Sequence, residues 1–273
     1  MLKFRLGGVP VSVHLSFLIL ALFGWMRYGT AVYTAAWTVG VFFAILAHEA
    51  GHAFTARAFG APGVRIMLFA FGGATTYPLI TKITPGKRFL ISAAGSAVGI
   101  ATGAALMVVG ANQGWFDLDF GGWPPYERIN PDFLSVMVVG YIEAALFWGI
   151  LNWLPMRPLD GGQMVHSLLE MVAPSIAEPA TKVVSLAIGV PVIVLALANQ
   201  QLFVAMIVGF LLLSGLRSAP RARPQPAPPQ PGPESATPGA PHRLDPAAPG
   251  EPAEDAPDTR RDGPAPPPSD FPI

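Results

Sequence analysis

The sequence predicts an all-α polytopic membrane protein of about six transmembrane helices, followed by a disordered Pro-rich tail. Three observations carry this. The 273 residues are 52% hydrophobic and 12% charged, whereas soluble domains carry about 25% charged residues. Six apolar stretches recur in residues 1–216, and about 20 apolar residues as a helix cross a hydrocarbon core of ~30 Å. Residues 217–273 hold 18 of the 30 prolines.

The spans fall near 12–27, 33–59, 89–111, 133–155, 182–198 and 201–216. The first follows Lys3 and Arg5 as a signal peptide would, but no small-residue cleavage site leads into a soluble domain, and more spans follow. It is therefore read as a span. In the third, Gly95, Gly99 and Gly103 repeat every four residues, the spacing that lets helices approach closely in membranes. Asn199, Gln200 and Gln201 separate the fifth from the sixth. Residues 1–216 form one transmembrane domain. The 217–273 tail lacks the β-branched and aromatic residues that would offset ordering entropy, and reads as a disordered cytoplasmic appendage or linker.

Orientation follows from the basic residues, which are retained in the cytoplasm. With the N-terminus inside, the inner segments hold Lys3, Arg5, Arg57, Arg65, Lys82, Lys87, Arg88, Arg157, Lys182, Arg217, Arg221 and Arg223. The outer loops hold Arg27 and Arg128. Both termini are expected in the cytoplasm of a membrane such as the bacterial plasma membrane, with lipid as the surrounding partner. The 17 basic and 17 acidic residues cancel, and no basic stripe with interleaved aromatics occurs, which argues against nucleic acid as a partner. With no cysteine, a metal would have to be held by His, Asp or Glu.

The second span contains His48, Glu49 and His52 in the run AHEAGHA. Ionisable groups inside an apolar helix are costly and face a protein interior or a wet cavity, so they are functional candidates. Helical positions i and i+4 share a face. His48 and His52 can therefore bring two imidazoles to one metal, with Glu49 turned toward a water that the metal acidifies. The alternative is a pair of buried histidines hydrogen-bonded to neighbouring helices, with Glu49 as their ion-pair partner. A catalytic zinc site uses three protein ligands and an open position, so a third donor is needed. His14, Glu143, Asp160 and His166 are the candidates, and Asp160 is favoured. It follows the fourth span at the level of His48 and His52, flanked by Pro155, Pro158, Gly161 and Gly162, where broken helix is tolerated if it lines a cavity. Asp160 could instead only cap the helix that follows.

These residues resemble the site-2 proteases, a family of zinc metalloproteases that cut substrates within the membrane. The AHEAGHA run is similar to the family's His-Glu-x-x-His helix, and Asn152, Pro155 and Asp160-Gly161 to its Asn-x-x-Pro and Asp-Gly motif. The resemblance implies one zinc ion per chain on His48, His52 and Asp160, with Glu49 as general base. Asn152 would contact the substrate backbone. A three-helix catalytic core would comprise spans two to four, and the substrate would be a transmembrane protein cut near the cytoplasmic face. The stretch RIMLFAFGGATTYP resembles the family's short hairpin beside the cleft, in which Gly72 and Gly73 would meet an unwound substrate by strand addition. The third span departs from the family's Gly-Pro-x-x-Asn, having Gly95, Ser96, Ala97, Val98 and Gly99.

Two other readings use the same residues. A metal-ion or proton transporter would employ His48, Glu49, His52 and Asp160 as a relay, but transporters show repeated halves, and no second His-rich span matches the first. A silent scaffold would bind transmembrane helices without cutting them.

Overall fold

The computed structural model describes residues 1–70, 72–78, 83–118, 126–129 and 132–217. The expected Pro-rich tail, apart from Arg217, lies outside the described residues. In chain order the elements are β1 (Leu2–Leu6), β2 (Val9–Val13), a 3-10 turn (Leu15–Leu18), α1 (Ile19–Tyr28) and α2 (Ala31–Ala58). Then come β3 (Arg65–Phe69), β4 (Gly72–Thr76), α3 (Pro85–Asn112), β5 (Phe116–Leu118), β6 (Tyr126–Ile129) and α4 (Phe133–Asn152). The chain continues through α5 (Asp160–Val172), α6 (Ala177–Ala198) and α7 (Leu202–Arg217).

Four of these helices, α2, α3, α4 and α6, are long and apolar enough to cross a membrane, and the protein is an integral membrane protein. The 28 residues of α2 and of α3 extend about 42 Å at 1.5 Å per residue. The first and sixth expected spans are shorter apolar helices. The first also begins later than expected, because Val9–Val13 is spent on a strand. Helix starts follow local chemistry. Thr84 accepts from the Lys87 amide at 3.4 Å with Pro85 in the first turn, and Asp132 accepts from the Ser135 amide at 2.9 Å.

Helices α2, α3 and α4 pack together through small residues, as expected for spans two to four. A Cβ on Gly40 of α2 would lie 2.0 Å from the Met137 carbonyl of α4, and one on Gly140 would lie 2.6 Å from the Trp37 carbonyl. The two backbones therefore touch at reciprocal glycines, a contact no larger residue permits. Gly51 is set against the Ala94 carbonyl of α3 in the same way, at 2.7 Å.

The expected hairpin is present as β3 and β4, but it is half of a larger sheet. The order is β1-β2-β3-β4, with β2 and β3 parallel and the other neighbours antiparallel. Gly7 and Gly8, at φ +53° and +84°, make the two-residue turn from β1 to β2, which needs positive φ at both positions. Val9, Val11, Ile66 and Leu68 alternate along β2 and β3, are at most 1% exposed, and pack with Ala53 and Ala56 of α2. This apolar face lays the sheet along the C-terminal end of α2 and sets its last strand, β4, beside Glu49.

Candidate metal centre and cleft

The site is built where α2, α3, β4 and the start of α5 meet. His48, Glu49 and His52 are 6%, 4% and 7% exposed. His52 lies six residues before the end of α2 at Ala58, about 9 Å along the axis. Asp160 is the first residue of α5, with Leu159 in extended conformation ahead of it. The turn from α4 folds tightly against this start: a Cβ on Gly161 would be 2.3 Å from the Trp153 carbonyl, and one on Gly162 would be 2.4 Å from the Arg157 amide nitrogen. The Asp-Gly-Gly run is thus what allows the carboxylate to be turned back onto α2.

His48 Nε2 and His52 Nε2 are 3.1 Å apart, and each is 3.2 Å from Asp160 Oδ2. No other group of three His, Asp or Glu ligand atoms converges in this way among the described residues. Tetrahedral zinc, bound at about 2.0–2.1 Å by N or O donors, separates adjacent ligand atoms by about 3.3 Å, so the donor set and its spacing fit the ion. His52 Nδ1 lies 2.7 Å from the Ile91 carbonyl of α3. That bond fixes the ring proton on Nδ1 and leaves the Nε2 lone pair facing the cluster. Gly95, one turn further along α3, makes room for the same ring, since a Cβ there would sit 2.2 Å from His52 Nε2. Ser96, fully buried, places its hydroxyl 3.3 Å from Asp160 Oδ2.

Glu49 points from the same helix toward β4. The Thr75 hydroxyl lies 2.7 Å from Glu49 Oε2 and 3.0 Å from the Glu49 carbonyl. Asn152 Nδ2 is 3.3 Å from His48 Nε2, at the rim of the cluster. Gly72, Gly73 and Asn152 line the same cavity of about 700 Å³ as the two histidines, Glu49 and Asp160. Its apolar walls include Ile45, Trp148, Met206 and Phe210.

The remaining candidates are employed elsewhere. His14 caps the 3-10 turn, its Nδ1 accepting from the Ser16 amide at 3.1 Å. Glu143 accepts from Trp37 Nε1 at 2.7 Å and pairs with Arg27 at 3.0 Å. His166 borders the cavity but stands apart from the ligand triangle, with Nδ1 3.2 Å from the Thr181 hydroxyl. Burial, with the nearby Arg157 guanidinium, holds its pKa below the ordinary histidine value. Sequence reading did not single out Thr75, or Ile91 through its carbonyl, and saw Ser96 only as a departure from a motif.

No protein-family model matches the chain. It is similar to zinc metalloprotease MJ0392 of Methanocaldococcus jannaschii, 24% identical over 168 residues, which are 61% of this chain and 44% of the relative. It is also similar to Rip3 of Mycobacterium tuberculosis, provisionally named a zinc metalloprotease, with 31% identity over 183 residues, 60% of this chain and 42% of the relative. The chain thus spans less than half the length of these relatives. Among solved structures, a site-2 protease from Methanocaldococcus jannaschii superposes with a TM-score of 0.54 and 19% identity, covering 81% of this chain and 98% of that one. This last likeness concerns the fold.

Proposed function

We propose that the chain is a zinc-dependent endopeptidase of the site-2 protease type that hydrolyses a peptide bond within a transmembrane segment of another membrane protein and so releases a soluble domain, a reading supported by its likeness to the two zinc metalloproteases and by the shared fold. The observation that carries this reading is the triangle of two imidazole nitrogens and one carboxylate oxygen, with edges of 3.1 to 3.2 Å, beside the buried Glu49. His48, His52 and Asp160 would hold one zinc ion, which when bound supplies Lewis acidity to the scissile carbonyl and acidifies a neighbouring water. Non-haem iron accepts the same ligand types. The His-Glu-x-x-His order and the names of the relatives favour zinc.

The chain's own residues divide the work. Glu49 takes the proton from the attacking water and returns it to the leaving amine. β4 pairs with β3 along one edge and is the last strand of the sheet. Its Gly72 and Gly73 border the cavity, so an unwound substrate can add as a further strand and satisfy the backbone groups that lipid would leave unpaired. Asn152, which lines the same cavity, offers an amide to that backbone. The basic residues of the inner segments orient both termini and the cleft toward the cytoplasm, from which water reaches Glu49.

The test compares membrane-protein fragments, mapped by their new termini, in cells expressing the wild-type chain or Glu49→Gln. A single-pass protein that stays uncut only in the variant is the expected result. Cleavage by Glu49→Gln at the wild-type rate would overturn the proposal.

A further inference from the structure

We propose that Thr75 is the positioning residue of the general base: its hydroxyl fixes the Glu49 carboxylate, so the strand that receives the substrate also aims the group that activates water. The inference rests on the protease reading above and adds a role for β4 beyond docking. Gly73 and Thr75 are two residues apart on β4, and strand side chains alternate, so both face the same way. Both face Glu49. A Cβ on Gly73 would lie 2.4 Å from Glu49 Cγ and 2.6 Å from Oε1, so the strand can lie against the glutamate only because that position has no side chain. One step on, the Thr75 hydroxyl comes within 2.7 Å of Oε2.

A hydroxyl has one proton to donate. Thr75 Oγ1 is 2.7 Å from the carboxylate oxygen and 3.0 Å from the Glu49 backbone carbonyl. The shorter contact, to the group that can carry charge, takes the proton. Glu49 Oε2 is thereby held by β4, and the carboxylate as a whole is kept at the wall of the cavity. A glutamate has three side-chain torsions, and an unrestrained one would spend much of its time turned away from the reacting atoms. Thr75 is itself fixed by the pairing of β4 with β3, opposite Ile66, which is 1% exposed. The chain of restraint runs from a buried sheet position to the catalytic carboxylate.

The full-length chain in detergent is tested on fluorescein-labelled casein, an unfolded polypeptide that requires no helix unwinding, with zinc content measured in parallel. Thr75→Val keeps the shape and removes the hydroxyl. It is expected to lower kcat about 10- to 100-fold, in the range of lost outer-shell hydrogen bonds, while KM and bound zinc stay at wild-type values. Thr75→Ser restores the hydroxyl without the methyl group and is expected to recover kcat. Thr75→Ala repeats the loss if the valine variant does not fold. Wild-type kcat in Thr75→Val, or a Thr75→Ser variant as impaired as Thr75→Ala, would overturn the assignment and leave the protease reading intact. A Glu49→Gln enzyme that still turns over would remove the reading itself.

Discussion

Glu143 and Glu49 are both carboxylates within the helical core, yet their surroundings are opposite. Glu143 meets Arg27 at 3.0 Å and the Trp37 indole at 2.7 Å, so the protein supplies both a cation and a donor. Glu49 accepts from the neutral Thr75 hydroxyl and stands beside two imidazoles and Asp160, whose three ligand atoms crowd within 3.2 Å. The first arrangement ties α1, α2 and α4 together. The second gathers two imidazole nitrogens and a carboxylate oxygen toward a common point, a donor set that could hold a metal ion. A buried carboxylate is therefore not by itself a sign of chemistry. Converging lone pairs, with the imidazole proton directed away from them, are.

The sharpest way to break the inner cluster without touching a ligand is Gly95→Val. Its Cβ would lie 2.2 Å from His52 Nε2, so the ring must leave the triangle. Loss of bound zinc and of cleavage is expected, read by metal analysis of the purified chain. Wild-type zinc content in a folded variant would contradict the packing described. Glu49→Gln comes next: cleavage should fall by about 10² to 10⁴, the usual contribution of a positioned acid–base group, with zinc retained. Ser96→Ala removes the hydroxyl 3.3 Å from Asp160 Oδ2 and should weaken zinc affinity about 10-fold or more, measured by competition with a chelator. The smallest functional effect belongs to the outer cluster. Glu143→Gln should destabilise the protein by about 1–3 kcal/mol through partly unpaired neighbours, seen as a lower melting temperature, while zinc content and cleavage stay unchanged.

These two clusters were not equally legible in the sequence. The inner one was, because His48, Glu49 and His52 lie within a single helical turn and Asp160 lies in a Pro- and Gly-rich break. Both features are local. The helix-facing roles of Ser96 and Thr75 were not, since a lone hydroxyl acquires meaning only from what tertiary packing sets beside it. Glu143 showed its cost but not its partners, which come from 106 and 116 positions away along the chain. The β1–β2 hairpin escaped notice although Gly7-Gly8 separates two alternating runs, Lys3 to Leu6 and Val9 to Val13. Those strands lead directly into an apolar stretch whose hydropathy masked the period-two pattern. The expected hairpin at β3 and β4 was found from its glycines, but its membership in a four-stranded sheet depends on a parallel pairing with β2, which no short-range signal encodes.

The most direct measurement is the zinc content of the purified full-length chain and of two variants, Asp160→Ala and Glu143→Gln. One zinc per chain in the wild type, its loss in Asp160→Ala and its retention in Glu143→Gln is the predicted result. A wild-type chain that binds no zinc, or an Asp160→Ala chain that holds it as firmly as the wild type, would contradict the claim that these three side chains form a metal centre.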